Sequence, residues 1–150
     1  MSPAQALPAV LDKIDAELPH SLERLFEFLR IQSISTDPAY KDQCRSAAEH
    51  VAKDLSGIGF ETSIRPTGGH PIVVGKGGPH GSAPRVLFYG HYDVQPVDPI
   101  NLWEAPPFAP RIATLPDGRK IIVARGACDD KGQVMTFVEA CRAFAAVTGQ

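Results

Sequence analysis

A histidine and an aspartate two positions apart, His91 and Asp93, follow an apolar run in the stretch LFYGHYDVQP at residues 87–96. Side chains alternate faces along an extended segment, so the two point the same way. Asp93 is thereby placed to accept a hydrogen from one ring nitrogen of His91. That fixes the tautomer and leaves the other nitrogen free, as a metal-ligating histidine requires. The same spacing also suits a histidine that is merely satisfied by a neighbouring carboxylate, and a lone H-x-D does not separate the two readings. A second cluster lies at residues 124–133, ARGACDDKGQ, where Asp129 and Asp130 precede Lys131 in a glycine-flanked turn at the mouth of a helix. Adjacent carboxylates repel unless a cation or hydrogen-bond donors neutralise them. Helix capping, worth about 1 kcal/mol, is the alternative use of either aspartate. Cys128 beside a helix N-terminus suggests a nucleophile, but two neighbouring carboxylates raise a thiol pKa and no histidine or asparagine motif marks a partner. No G-x-x-x-x-G-K-[ST] or G-x-G-x-x-G pattern for phosphate occurs in the turn.

These residues need elements to hold them. The run Val86, Leu87, Phe88, Tyr89 is β-branched and aromatic and bounded by turn residues, which predicts a buried strand of the kind found inside parallel sheets. His91 and Asp93 would then lie at its C-terminal end, where ligands collect in open α/β sheets. Residues 6–18 and 21–31 read as two helices separated by Pro19, the second with a Ser21 cap and Leu22, Leu25, Phe26 and Leu29 facing the core. Ala47, Ala48, Val51, Leu55 and Ile58 trace another helix that Gly57 and Gly59 end. His50 falls off that stripe and reads as solvated surface. Residues 60–64 and 71–75 around Thr67-Gly68-Gly69, and residues 111–115 and 119–123 around Pro116-Asp117-Gly118, predict two hairpins. His70 and His80 read as exposed loop histidines. The proline-dense segment between the clusters is irregular, with Trp103 and Phe108 as anchors. Residues 132–146 form an amphipathic helix through Val134, Phe137, Val138, Cys141 and Phe144. Strands between helices make an α/β three-layer sandwich with a mostly parallel sheet.

With 150 residues, 43% of them hydrophobic and 21% charged, the chain has the size and composition of one soluble globular domain. Fifteen basic and seventeen acidic side chains give a net charge of -2, so there is no basic footprint for nucleic acid or an anionic membrane. Three cysteines without C-x-x-C spacing fit a reducing compartment. No membrane-length apolar run or signal peptide is evident, so a cytoplasmic location is expected.

Taken together, GHYDVQP at 90–96, LWEAPPF at 102–108, ARGACDDKG at 124–132, FLRIQSIST at 28–36 and GHPIVVG at 69–75 resemble the N-terminal part of the M20 family of zinc metallopeptidases. That family includes carnosinase-like dipeptidases, glutamate carboxypeptidases and amino-acid deacylases. The resemblance implies that His91 ligates one zinc and Asp129 bridges two, with Co²⁺ or Mn²⁺ as substitutes. Asp93, counted with the catalytic residues, would clamp the His91 ring. It also implies a cis peptide between Asp129 and Asp130, and the paired DDKG looks more like the dipeptidase and carboxypeptidase branch than the desuccinylase branch. The implied reaction is hydrolysis of a peptide or amide bond of a dipeptide or N-acyl amino acid, through attack by a metal-bridging hydroxide.

By the same resemblance the glutamate base, the remaining metal ligands and the lid domain lie beyond residue 150. The chain is therefore expected to be an N-terminal part of a homodimeric enzyme, inactive alone. The competing expectation is a non-catalytic truncated chain or interaction module.

Overall fold

Helix α1 (Pro3–Arg30) runs unbroken through Pro8 and Pro19 in the computed structural model, which describes residues 3–78 and 84–149. The expected break at Pro19 does not occur. A helical proline forfeits a backbone hydrogen bond and crowds the preceding turn, at about 3 kcal/mol. Here apolar packing on both sides of Pro19 outweighs it. On one side Ala6 and Val10 meet Ala143, and on the other Leu25, Phe28 and Leu29 join Val134, Met135 and Val138. The partner in both clusters is helix α3 (Lys131–Thr148).

Asp37 caps a 3-10 turn (Pro38–Tyr40) by accepting from the Ala39 N–H at 2.9 Å, and helix α2 (Lys41–Gly57) follows directly. Cys44, Ala47, Ala48, Ala52 and Leu55 form its buried face, at helical spacing. Gly59, at φ +91°, turns the chain out of the helix. Both hairpins form as the turn residues predict. Strands β1 (Glu61–Arg65) and β2 (Ile72–Lys76) pair antiparallel with Arg65 opposite Ile72, and β3 (Arg111–Thr114) and β4 (Lys120–Val123) pair with Thr114 opposite Lys120. Helix α2 lies against the first hairpin. In the proline-dense segment Trp103 donates to the Val97 carbonyl at 2.9 Å, with the Arg125 guanidinium over its ring.

The parallel sheet is where structure and sequence part. Residues 84–90 adopt no strand and pair with no described strand, and Val86, Leu87 and Tyr89 are 90%, 93% and 82% exposed. A central strand is buried only when neighbours pair along both edges and helices cover both faces. On this run Phe88 stacks on Phe137 of α3 at 4.0 Å. Among the described residues the single parallel link is an isolated bridge between Ile34 and Val94. The fold among the described residues is thus three helices and two antiparallel hairpins, with its core between α1, α2 and α3.

Ser21, expected as a cap, sits inside α1 and donates to Glu139 at 2.8 Å. Arg24 binds the same carboxylate through two nitrogens at 2.7 and 2.6 Å, and Arg142 adds a third donor before reaching Asp54 on α2. Burial raises the Glu139 pKa, but the bonds from Arg24, Ser21 and Arg142 outweigh it and hold the group at about 2. With the side chain only 14% exposed, the shift represents on the order of 2–3 kcal/mol of stability. The folded pKa lies below the unfolded one, so this stability is full above about pH 4.5 and is lost as pH falls toward about 2. Urea unfolding across that window should show the wild type losing stability steeply and Glu139→Gln, weaker at neutral pH, changing much less. Equal slopes for the two proteins would contradict this role.

Candidate metal centre

Two segments that are distant in sequence meet at the N-terminus of α3. The first is held by the chain leaving α1. Val94 donates its N–H to the Ser33 carbonyl at 2.9 Å, and the Ser33 hydroxyl donates to the Tyr92 carbonyl at 2.7 Å. The Tyr92 hydroxyl donates to the Pro71 carbonyl at 2.6 Å, tying in the first hairpin. Gly90 permits close approach to α3, since a Cβ there would lie 2.6 Å from Val134 Cγ2 and 3.0 Å from Asp130 Oδ2.

The second segment is the Asp129-Asp130 turn, whose peptide is cis, as the family likeness implies. Asp130 occupies the N-cap position of α3 but makes no side-chain cap. Its Oδ2 accepts the His91 N–H at 3.0 Å instead, which joins the two segments and decides against capping as its use. Gly132 is obligatory in the following turn, because a Cβ there would come within 2.1 Å of the Ala127 carbonyl oxygen.

Lys131 is fully buried. It does not pair with the two aspartates beside it. Its Nζ donates to the carbonyls of Phe28 at 3.0 Å and Ile31 at 2.7 Å, at the C-terminal end of α1, and lies 4.7 Å from the Phe28 ring centre. Burial pushes its pKa down to about 7, while the carbonyl end of α1 favours the charge.

His91, Asp93 and Asp129 come together. Nδ1 of His91 lies 3.1 Å from Asp93 Oδ1 and 3.2 Å from the Asp93 carbonyl oxygen, so it faces two acceptors and carries the hydrogen. Nε2 is thereby directed at Asp129 Oδ1, 3.0 Å away. Burial lowers the His91 pKa, but the Asp93 carbonyl and carboxylate and the Asp129 carboxylate outweigh it, and the net shift is upward. The site thus favours positive charge between its nitrogen and its carboxylates. An imidazole nitrogen and a carboxylate oxygen converging on partly open space are the donor types that suit zinc. Among the described residues no group of three or more His, Cys, Asp or Glu side chains is arranged to hold a metal ion, so these residues supply two donors and the clamp. A separate cavity of about 420 Å³, lined by Trp103, Arg111 and Ile121 among others, contains none of the three.

The other histidines depart from expectation. His50 is not solvated but half-buried, stacked on Phe28 at 5.0 Å, and burial lowers its pKa. It does lie off the apolar stripe of α2, but Phe28 of α1 covers it there. His70 is half-buried too, its Nε2 2.9 Å from the Ser35 carbonyl oxygen. His80 lies outside the described residues. Cys128 is exposed. The residues that sequence reasoning missed are Ser33, Ser35 and the buried role of Lys131. The only trace of the two serines was the FLRIQSIST stretch, which gave no hint of what it touches, and Lys131 stood in the DDKG turn with nothing to mark its burial.

Residues 87–150 match peptidase family M20/M25/M40. The Cys-Gly metallodipeptidase DUG1 of Saccharomyces cerevisiae is 28% identical over 95% of this chain and 32% of its own length. The succinyl-diaminopimelate desuccinylase of Hahella chejuensis is 35% identical over 85% of this chain and 30% of its own. The solved structure of the dipeptidase Dug1p from Saccharomyces cerevisiae superposes with a TM-score of 0.84 at 29% identity, covering 97% of this chain and 32% of that one. The chain spans about a third of the length of these relatives.

Proposed function

We propose, from the premise that this chain is a member of peptidase family M20/M25/M40, that it supplies the first metal-binding segment of a hydrolase of small amides. The substrate class is a dipeptide or an N-acyl amino acid. The names of the two relatives, a Cys-Gly dipeptidase and a desuccinylase, both describe cleavage of an amide bond in a small molecule. The paired aspartates of the turn favour the dipeptidase side. The observation that carries the reading is the 3.0 Å approach of His91 Nε2 to Asp129 Oδ1, with the ring clamped by Asp93 on its other nitrogen.

His91 and Asp129 would hold zinc, with cobalt or manganese as substitutes. A bound zinc supplies a Lewis acid and lowers the pKa of water toward neutrality. The chain's own residues do the rest of what is assigned here. Asp93 accepts the Nδ1 hydrogen of His91 and keeps the Nε2 lone pair aimed at the site. Asp130 fixes the His91 backbone, and Lys131 anchors the turn that carries Asp129 to the end of α1. A catalytic zinc takes about three protein ligands, so the remaining donors and the proton-accepting base are assigned to polypeptide outside these residues.

A second reading, a chain without catalysis of its own, draws support from the exposure of Val86, Leu87 and Tyr89 and from the count of two donors. Zinc binding and dipeptide hydrolysis by the 150-residue chain beside the complete protein separate the two. Activity and about two zincs in the longer protein support the enzyme reading; a longer protein that neither binds zinc nor turns over dipeptides supports the other. Asp93→Ala should weaken zinc binding by about 10- to 100-fold, the usual effect of losing a carboxylate that supports a ligating histidine. An unchanged zinc titration would contradict the clamp.

A further inference from the structure

Asp93 has two carboxylate oxygens, and both are engaged. Oδ1 faces His91 Nδ1 at 3.1 Å, while Oδ2 accepts the hydroxyl hydrogen of Ser35 at 2.5 Å. Ser35 itself is held in place. The Ile34–Val94 bridge and the Val94 N–H to Ser33 carbonyl bond lay this segment alongside residues 92–94, and the Ser35 carbonyl oxygen lies 2.9 Å from His70 Nε2. A carboxylate gripped at one oxygen cannot swing about its Cβ–Cγ bond, so the other oxygen keeps its aim. Without the grip, Asp93, with a side chain 37% exposed, would be free to turn toward solvent.

We propose that Ser35 is a positioning residue of the metal centre, acting through Asp93 to hold His91 with Nδ1 protonated and Nε2 presented to the cation. The inference rests on the metal-centre reading above. His91 has acceptors on both sides, the Asp93 carbonyl and carboxylate at Nδ1 and the Asp129 carboxylate at Nε2, and the Asp93 carboxylate is the charge that offsets Asp129. Loosening Asp93 therefore shifts the metal-free ring toward the Nε2–H tautomer, the one that cannot ligate through Nε2.

The test uses the complete protein as wild type, Ser35→Ala, Ser35→Thr and His91→Ala. Zinc affinity is read by competition with a chromophoric chelator. The His91 tautomer is read by nitrogen NMR of the imidazole in metal-free samples, at a pH where the ring is neutral. Ser35→Ala is expected to bind zinc about tenfold more weakly and to gain the Nε2–H form. Ser35→Thr, which keeps the hydroxyl, is expected to match the wild type in both. Wild-type affinity and tautomer in Ser35→Ala, or a Thr variant as impaired as the Ala variant, would overturn the proposal. Should Ser35→Ala not fold, Ser35→Cys keeps the volume, replaces the hydroxyl by a weak donor and carries the same expectation. If His91→Ala leaves zinc affinity unchanged, the metal-centre reading fails by itself, and the tautomer measurement still decides whether Ser35 governs Asp93.

Discussion

If the complete protein is the proposed hydrolase, replacing Asp129 by alanine is expected to lower dipeptide hydrolysis by about a thousandfold or more, roughly 4 kcal/mol of activation free energy. The fold should survive. Asp129 is 77% exposed, and its recorded bond is the one to His91 Nε2, so its loss leaves no buried group without a partner. His91→Ala is expected to behave alike, because the two donors face each other across 3.0 Å and serve one centre. The check is kcat/KM together with the thermal midpoint of each purified variant. Near-normal turnover by either, with a wild-type midpoint, would sink the assignment of both residues.

The second large effect falls on stability and comes from Lys131. Its four methylenes are buried among Phe28, the end of α1 and the start of α3, so Lys131→Ala opens a cavity and should cost about 3 kcal/mol, within the range for large-to-small core changes. Lys131→Met should regain most of that. Methionine refills the volume, and burial of the ammonium is itself unfavourable, as the fall of its pKa to about 7 indicates. The Phe28 and Ile31 carbonyls keep backbone donors from Ile31 and Ser33, so the methionine variant leaves neither bare. What methionine cannot restore is the pair of bonds that ties the Asp129 turn to α1. A stable Lys131→Met protein with weakened zinc binding is therefore expected. Urea unfolding that shows Lys131→Ala as stable as the wild type would contradict the packing account.

Local rules made much of this legible. Pro116-Asp117-Gly118 and Thr67-Gly68-Gly69 marked both hairpins, because turn chemistry is confined to a few adjacent residues. The parity of His91 and Asp93 put both on one side, and the carboxylate does face Nδ1. What failed depended on partners far along the chain. Pro19 reads as a break unless one knows that α3 grips α1 on either side of it. Residues 85–89 read as a buried strand from composition, which cannot say whether neighbours are there to bury them. Ser35 meets Asp93 across 58 positions and Lys131 meets Ile31 across 100, and no periodicity carries that information. The two aspartates were ambiguous between capping and chemistry until Asp130 was found on the His91 N–H.

Zinc soaked into crystals of the complete protein, located by its anomalous scattering, tests the central claim most directly. The account predicts a peak within about 2.0–2.2 Å of both His91 Nε2 and an Asp129 carboxylate oxygen, with Asp93 still on Nδ1. A fully occupied zinc elsewhere, with His91 and Asp129 left bonded only to each other, would contradict it.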